Sequence, residues 1–192
     1  SMGYMDAENF RAETLPNGSS IHKNLIGKFK NEVKRQGALP FVRHHNIKYG
    51  GQFPIWVAVE LFTFGMLGSL FDLMRENDQR AVSREYNLSP ESLSRLIASA
   101  VDVRNICAHY NRLYNRVLDD QPLLPNRLRL YESDRLFPLL LAFAHVLGRE
   151  RVLNRLITGL SLLEADYPEA DLSLCGFPED WRSILEAEAA QA

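Results

Sequence analysis

Apolar residues recur along this chain at helical spacing, in one segment after another. From Ser20 to Gln36 the positions Ile21, Leu25, Ile26, Phe29 and Val33 fall three or four apart, with lysines between them. Gly37 and Pro40 close that helix. Residues 1–18 show no period and read as a loose leader. FVRHHNIKYGGQFP, marked by Gly50, Gly51 and Pro54, reads as a connector. Pro54 then suits the first turn of a long helix, PIWVAVELFTFGMLGSLFDLMREN, which is apolar nearly all round. Such a helix belongs at the centre of a core, with Trp56, Phe62 and Phe64 inside it. A shorter helix is predicted at Gln79–Glu85. Ser89-Pro90-Glu91 is a start signal. The helix it opens turns Leu93, Leu96, Ile97, Ala100, Val101 and Cys107 inward and runs on into RNICAHYNRLYNR. Residues 119–133 hold two prolines and predict a loop, with LRLY as a short extended piece. Three more helices follow: RLFPLLLAFAHVLGR after Asp134, Arg151–Leu163, and a last one opened by Pro178. No repeat and no strand–helix alternation appears, so the pattern predicts an all-α bundle.

Composition narrows this picture. The chain has 192 residues, 46% hydrophobic and 24% charged, with a net charge of −2. That suits one folded domain with a sizeable core, and it lacks a global positive field for polyanions. Among the cations, 17 arginines face 5 lysines, and arginine grips phosphate or carboxylate with a planar fork. Cys107 and Cys175 are far apart with no CxxC, which speaks against a zinc or redox pair. The longest apolar run, Phe53 to Phe71, carries Glu60 and reads as a buried helix rather than a membrane span. With no signal-peptide pattern, the cytoplasm is the expected compartment. Glu60 in that run is expected to be buried in an ion pair, and His145 to be a satisfied core histidine. His44 and His45 stand side by side without an acidic or cysteine neighbour, weak grounds for a metal. No cofactor motif is present.

The dense segment is RNICAHYNRLYNR, residues 104–116, with three arginines, three asparagines, two tyrosines and one histidine. Histidine moves protons near neutral pH, and arginine offsets charge that develops on a phosphate. Together they suffice for metal-free RNA cleavage in which the 2′-hydroxyl attacks the neighbouring phosphate. On a straight helix Asn105 and His109 share a face, whereas Arg104 and His109 diverge by about 140°. Two facing copies would bring the groups together, as would a kink or a helix end near His109. On spacing alone the bland reading wins: His109 as a hydrogen-bonded helix residue, Arg104 as a surface ion-pair residue.

These residues resemble the signature of the Abi-like (abortive infection) proteins within the HEPN superfamily. Arg104, Asn105, His109, Asn111, Arg112, Leu113, Asn115 and Arg116 match its pattern. FVRHHNIKYGGQFPIWVAVELFTFG resembles the family's His…Tyr…Pro-Ile-Trp…Glu…Phe-Gly block, and CGFPEDW resembles its Gly-Phe-Pro-x-x-Trp ending. Tyr110 stands where many members have a second histidine. The resemblance implies a HEPN-like helical bundle, with residues 1–38 as leader and first helix and 39–192 as the Abi domain. It implies a homodimer whose paired motifs form one metal-independent ribonuclease site, used in phage defence or as a toxin. No cofactor is implied. Arg104, Asn105 and His109 would be catalytic; Asn111, Arg112, Asn115 and Arg116 would bind RNA; His44 and Glu60 would lend support. An antitoxin or regulatory partner is also implied, and no membrane. The alternative is a non-catalytic module of the same fold that binds RNA or a protein.

Overall fold

The computed structural model describes residues 1–147 and 150–190. The fold is all-α: among the described residues there is no strand, only isolated bridges joining Phe10 to Met74 and Thr14 to Ser20. The chain divides into two compact units, Ser1–Val82 and Ser83–Ala192.

The first unit is built on α1 (Ile21–Arg35), which buries Leu25, Ile26 and Phe29 and is capped by Ser20, whose hydroxyl accepts from the Lys23 amide. The leader is not loose. Tyr4 lies in the core against Phe29 and Phe62, edge to face at 5.5 and 5.7 Å, and its hydroxyl donates to the Phe53 carbonyl at 2.8 Å. Burial pushes the Tyr4 phenol up to about 12. The buried His22 ring donates from Nε2 to the Tyr4 carbonyl, 2.9 Å away. One aromatic residue placed without period thus ties down a segment that lacks any pattern.

The stretch expected as a connector is helical over α2 (Pro40–Lys48). Pro40 starts it rather than closing α1, because proline's fixed φ suits a first helical position. Gly50 (φ +59°) and Gly51 (φ +75°) turn the chain out of it.

The apolar run after Pro54 is two helices, not one. α3 (Ile55–Ala58) passes into a 3-10 turn, Val59–Leu61; Phe62 and Thr63 are extended; α4 (Phe64–Leu73) then begins and packs on α1. Thr63 causes the restart, its hydroxyl accepting from the Met66 amide at 3.3 Å. The break changes which residues face water. Phe62 is buried, but Trp56 is 65% exposed, and Phe64 and Glu60 are exposed too. Glu60 is therefore not the buried ion-pair residue expected.

α5 (Glu76–Arg84) spans the division between the units. In the second unit, α7 (Leu136–Leu147) is the central helix, with Phe137, Leu139, Leu141 and Ala144 fully buried. α6 (Pro90–Ala108) and α9 (Trp181–Ala189) pack on it, and α8 (Glu150–Asp166) packs on α9. Gly148 and Arg149, expected at the end of the α7 helix, lie outside the described residues. LRLY falls in a 3-10 helix, Asn126–Tyr131, not in an extended piece. His145 is largely buried, its Nδ1 3.3 Å from Arg127 and 3.7 Å from the buried Glu188. Arg127 binds that carboxylate with both guanidinium nitrogens. No described helix is long and apolar enough to cross a membrane.

Candidate functional site

The motif sits where α6 ends. Ser89 caps the start of the helix, its hydroxyl accepting from the Ser92 amide at 3.0 Å, and Leu93, Leu96 and Ala100 hold one face in the core. Cys107, expected on that face, is exposed, and Ile106 is buried in its place. The helix end explains the exchange. The Tyr110 amide donates to the Cys107 carbonyl at 3.1 Å and the Asn111 amide to the Ile106 carbonyl at 3.0 Å. This pair of bonds is a Schellman turn, which folds the chain back over the third residue from the helix end. It needs a left-handed residue, and Tyr110 supplies it at φ +55° where glycine is usual.

His109 is the last residue attached to the helix. Its amide still donates to the Asn105 carbonyl at 3.1 Å, so its α-carbon remains on the helical path. The 140° divergence from Arg104 therefore persists, and the helix end by itself does not bring the two side chains together. Arg104 Nη1 donates instead to the Asn105 amide oxygen at 3.0 Å. Among the described residues no hydrogen bond or ion pair joins Arg104 to His109, and the side chains of His109, Arg112 and Arg116 engage no protein partner.

The tail after the turn is not helical, yet it is anchored. Tyr114 is fixed to the Asp171 backbone: its hydroxyl lies 3.2 Å from the Asp171 carbonyl and 3.0 Å from its amide. The Asn115 amide donates to Cys175 Sγ at 3.4 Å, and its side-chain oxygen accepts from Arg135 at 3.0 Å. Asn115 is left-handed as well, at φ +53°. Asp171 caps the 3-10 turn Leu172–Cys175; hydrogen bonds from Ser173 hold its carboxyl below the usual range. Gly176 follows at φ +83°, where a Cβ would lie 2.7 Å from that of Arg135. Phe177 and Trp181 then enter the core edge to face at 5.7 Å. Asp171 and Arg135, with Cys175 at the entry to CGFPEDW, thus seat the motif's tail, a role that spacing alone does not disclose.

Arg104, Asn105, His109, Asn111, Arg112, Asn115 and Arg116 are all exposed. His44 and Glu60 belong to the first unit and are also exposed there. Among the described residues no group of three or more His, Cys, Asp or Glu side chains is placed to hold a metal ion.

A model of the Abi-like protein family matches residues 1–115, more than half of the chain. The chain belongs to the Abi-like protein family. The matched span takes in the whole first unit and the motif from Arg104 to Asn115, and it stops before Arg116 and the CGFPEDW segment. No curated protein and no solved structure matches the chain. Membership suggests a part in abortive infection, the defence of a bacterium against phage.

Proposed function

We propose that this Abi-like protein is a metal-independent endoribonuclease of the HEPN type, acting in phage defence or as a toxin. One observation carries the reading. The chemically able groups of the motif, Arg104 and His109, stand exposed at a helix end, with the side chains of His109, Arg112 and Arg116 unengaged by the described protein. Guanidinium and imidazole donors left open in this way are able to meet a phosphate.

In the proposed reaction the RNA's own 2′-hydroxyl attacks the adjacent phosphorus. His109 moves the proton, either from that hydroxyl or to the leaving 5′-oxygen. Arg104 holds the scissile phosphate and offsets its growing charge. Asn105, already bonded to Arg104, orients it. Asn111, Arg112, Asn115 and Arg116 grip the strand, while His44 and Glu60 keep the supporting part implied by the family block. Because Arg104 and His109 diverge on one helix, the complete site takes both groups from a two-fold pair of chains, the same patch presented twice.

The test is cleavage of mixed RNAs by the purified protein in EDTA, with His109→Ala and Arg104→Ala beside the parent. Cleavage that survives chelation and falls about a hundredfold or more in each variant supports the reading. Cleavage abolished by EDTA, or unchanged in His109→Ala, overturns it. RNA binding without cleavage by the parent would leave a non-catalytic module in its place.

A further inference from the structure

The first unit has a feature that the reaction above touches only through His44. A cavity of about 440 Å³ opens between α2 and α3, lined by His44, His45, Tyr49, Gln52 and Trp56 among others. Its volume falls in the range of small-ligand sites, about 300–1,000 Å³. Four of these side chains are aromatic rings. His45 and Tyr49 lie 5.2 Å apart and His44 and Tyr49 5.5 Å, while Phe53 stacks behind His45 at 5.3 Å. Trp56 differs from them. It is 65% exposed, and among the described residues it has no ring neighbour and no hydrogen-bond partner for its indole N–H. An exposed indole offers a broad face for stacking and a free N–H at its edge. Gln52, at the same cavity, offers an unengaged amide with both a donor and an acceptor.

The charge around this cavity points to its occupant. All five lysines of the chain lie between Lys23 and Lys48. Between Glu13 and Glu60 there are seven lysines and arginines against one carboxylate, Glu32, a net of +6 in a chain of net −2. Glu32 is itself paired with Arg35 at 2.5 Å. A second cavity of about 260 Å³ shares Met2 with the first and carries Lys30 and Lys34, one helical turn apart on α1. Stacking rings beside cations are the means by which proteins hold single-stranded nucleic acid.

We propose that this pocket takes one unpaired nucleobase of a single RNA strand, stacked on Trp56 and Tyr49. Gln52 meets the edge of the base, and Lys30, Lys34 and Lys48 hold the flanking phosphates. The proposal deepens the ribonuclease reading by naming where an unpaired stretch of its substrate is held, and it rests on that reading only for the choice of RNA.

The experiment uses the whole chain and a 2′-O-methyl oligoribonucleotide, which lacks the attacking hydroxyl and is not cleaved. Tryptophan fluorescence reports the pocket because Trp56 is exposed and the second tryptophan, Trp181, is buried. Saturable quenching is expected, absent in Trp56→Phe. Tyr49→Ala should bind about tenfold or more weakly, the scale of one lost base stack. Lys30→Ala with Lys34→Ala should weaken binding and flatten its dependence on salt. Far-UV circular dichroism of each variant separates lost binding from lost folding. Absence of quenching in a folded parent overturns the proposal, as does quenching by free AMP at the same concentrations as the oligomer, which would make this a nucleotide pocket. Quenching without any RNA cleavage sinks only the ribonuclease reading; His109-dependent cleavage without quenching sinks only this one.

Discussion

The Asn111 amide donates to the Ile106 carbonyl across 3.0 Å, and that bond ends the helix carrying Arg104 at its cap, His109. The turn has a cost, because Tyr110 at its centre is left-handed, a conformation that burdens a residue with a Cβ by about 1–2 kcal/mol. Its side chain is 98% exposed and recovers nothing by packing. Tyr110→Gly should therefore stabilise the chain by about 0.5–1 kcal/mol, the relief being partly offset by glycine's freedom in the unfolded state. Urea unfolding checks this: the midpoint should rise at constant slope. A lower midpoint would mean that Tyr110 makes contacts that favour the turn.

Gly176 is the opposite case, a glycine with no room for change. Its φ of +83° and the 2.7 Å approach of an added Cβ to Arg135 both exclude a side chain. Gly176→Ala should cost about 2 kcal/mol or more, a fall of about 4–8 °C in Tm for a chain of this size. Since Arg135 also holds Asn115, the same variant should weaken RNA binding through the displaced tail. A thermal scan showing no shift would refute the close approach of Gly176 to Arg135.

Tyr4 gives a pH dependence with a definite sign. Its folded pKa is raised to about 12 from an ordinary 10.0 by burial. A raised pKa means that the folded chain holds the proton more tightly. The contribution is therefore fully present below pH 10 and is lost as pH rises towards 12. Relative to Tyr4→Phe, the parent should lose on the order of 2 kcal/mol across that window. Parallel stability curves for the two proteins between pH 9 and 12 would contradict it.

Much of the fold is legible in the sequence, and the failures have identifiable causes. α1 and α8 follow from their periods, and Ser89-Pro90 marks the start of α6 correctly. The break at Thr63 was hidden because its flanks, Phe62 and Phe64, are as apolar as a helix core; only the hydroxyl cap betrays it. The same break leaves Trp56 and Glu60 exposed, against their apolar context. The non-helical tail of the motif was masked because Tyr110 takes a turn position without the glycine that normally announces one. The anchoring of Asn115 by Arg135 and Cys175 joins residues 20 and 60 apart, beyond the reach of local pattern. The lysine cluster is plain in the sequence, but a net charge taken over 192 residues conceals it.

The divergence of Arg104 and His109 on one helix leads to a prediction about assembly. The proposed paired site requires a second copy, so the protein should scatter light as a dimer at tens of micromolar, where an interface of standard size persists. A monomer throughout that range would leave no source for the missing group and would remove the paired-site mechanism.

The chemistry of the new RNA ends tests the proposed reaction most directly. Attack by the 2′-hydroxyl leaves a 2′,3′-cyclic phosphate on one fragment and a free 5′-hydroxyl on the other. Mass spectrometry of fragments from a defined oligoribonucleotide, cut in EDTA, should find those two ends. A single 2′-deoxy substitution at the cleaved position should abolish the cut. Fragments ending in 3′-hydroxyl and 5′-phosphate, or cleavage at the deoxy position, would show that water rather than the RNA is the nucleophile and would contradict the roles assigned to His109 and Arg104.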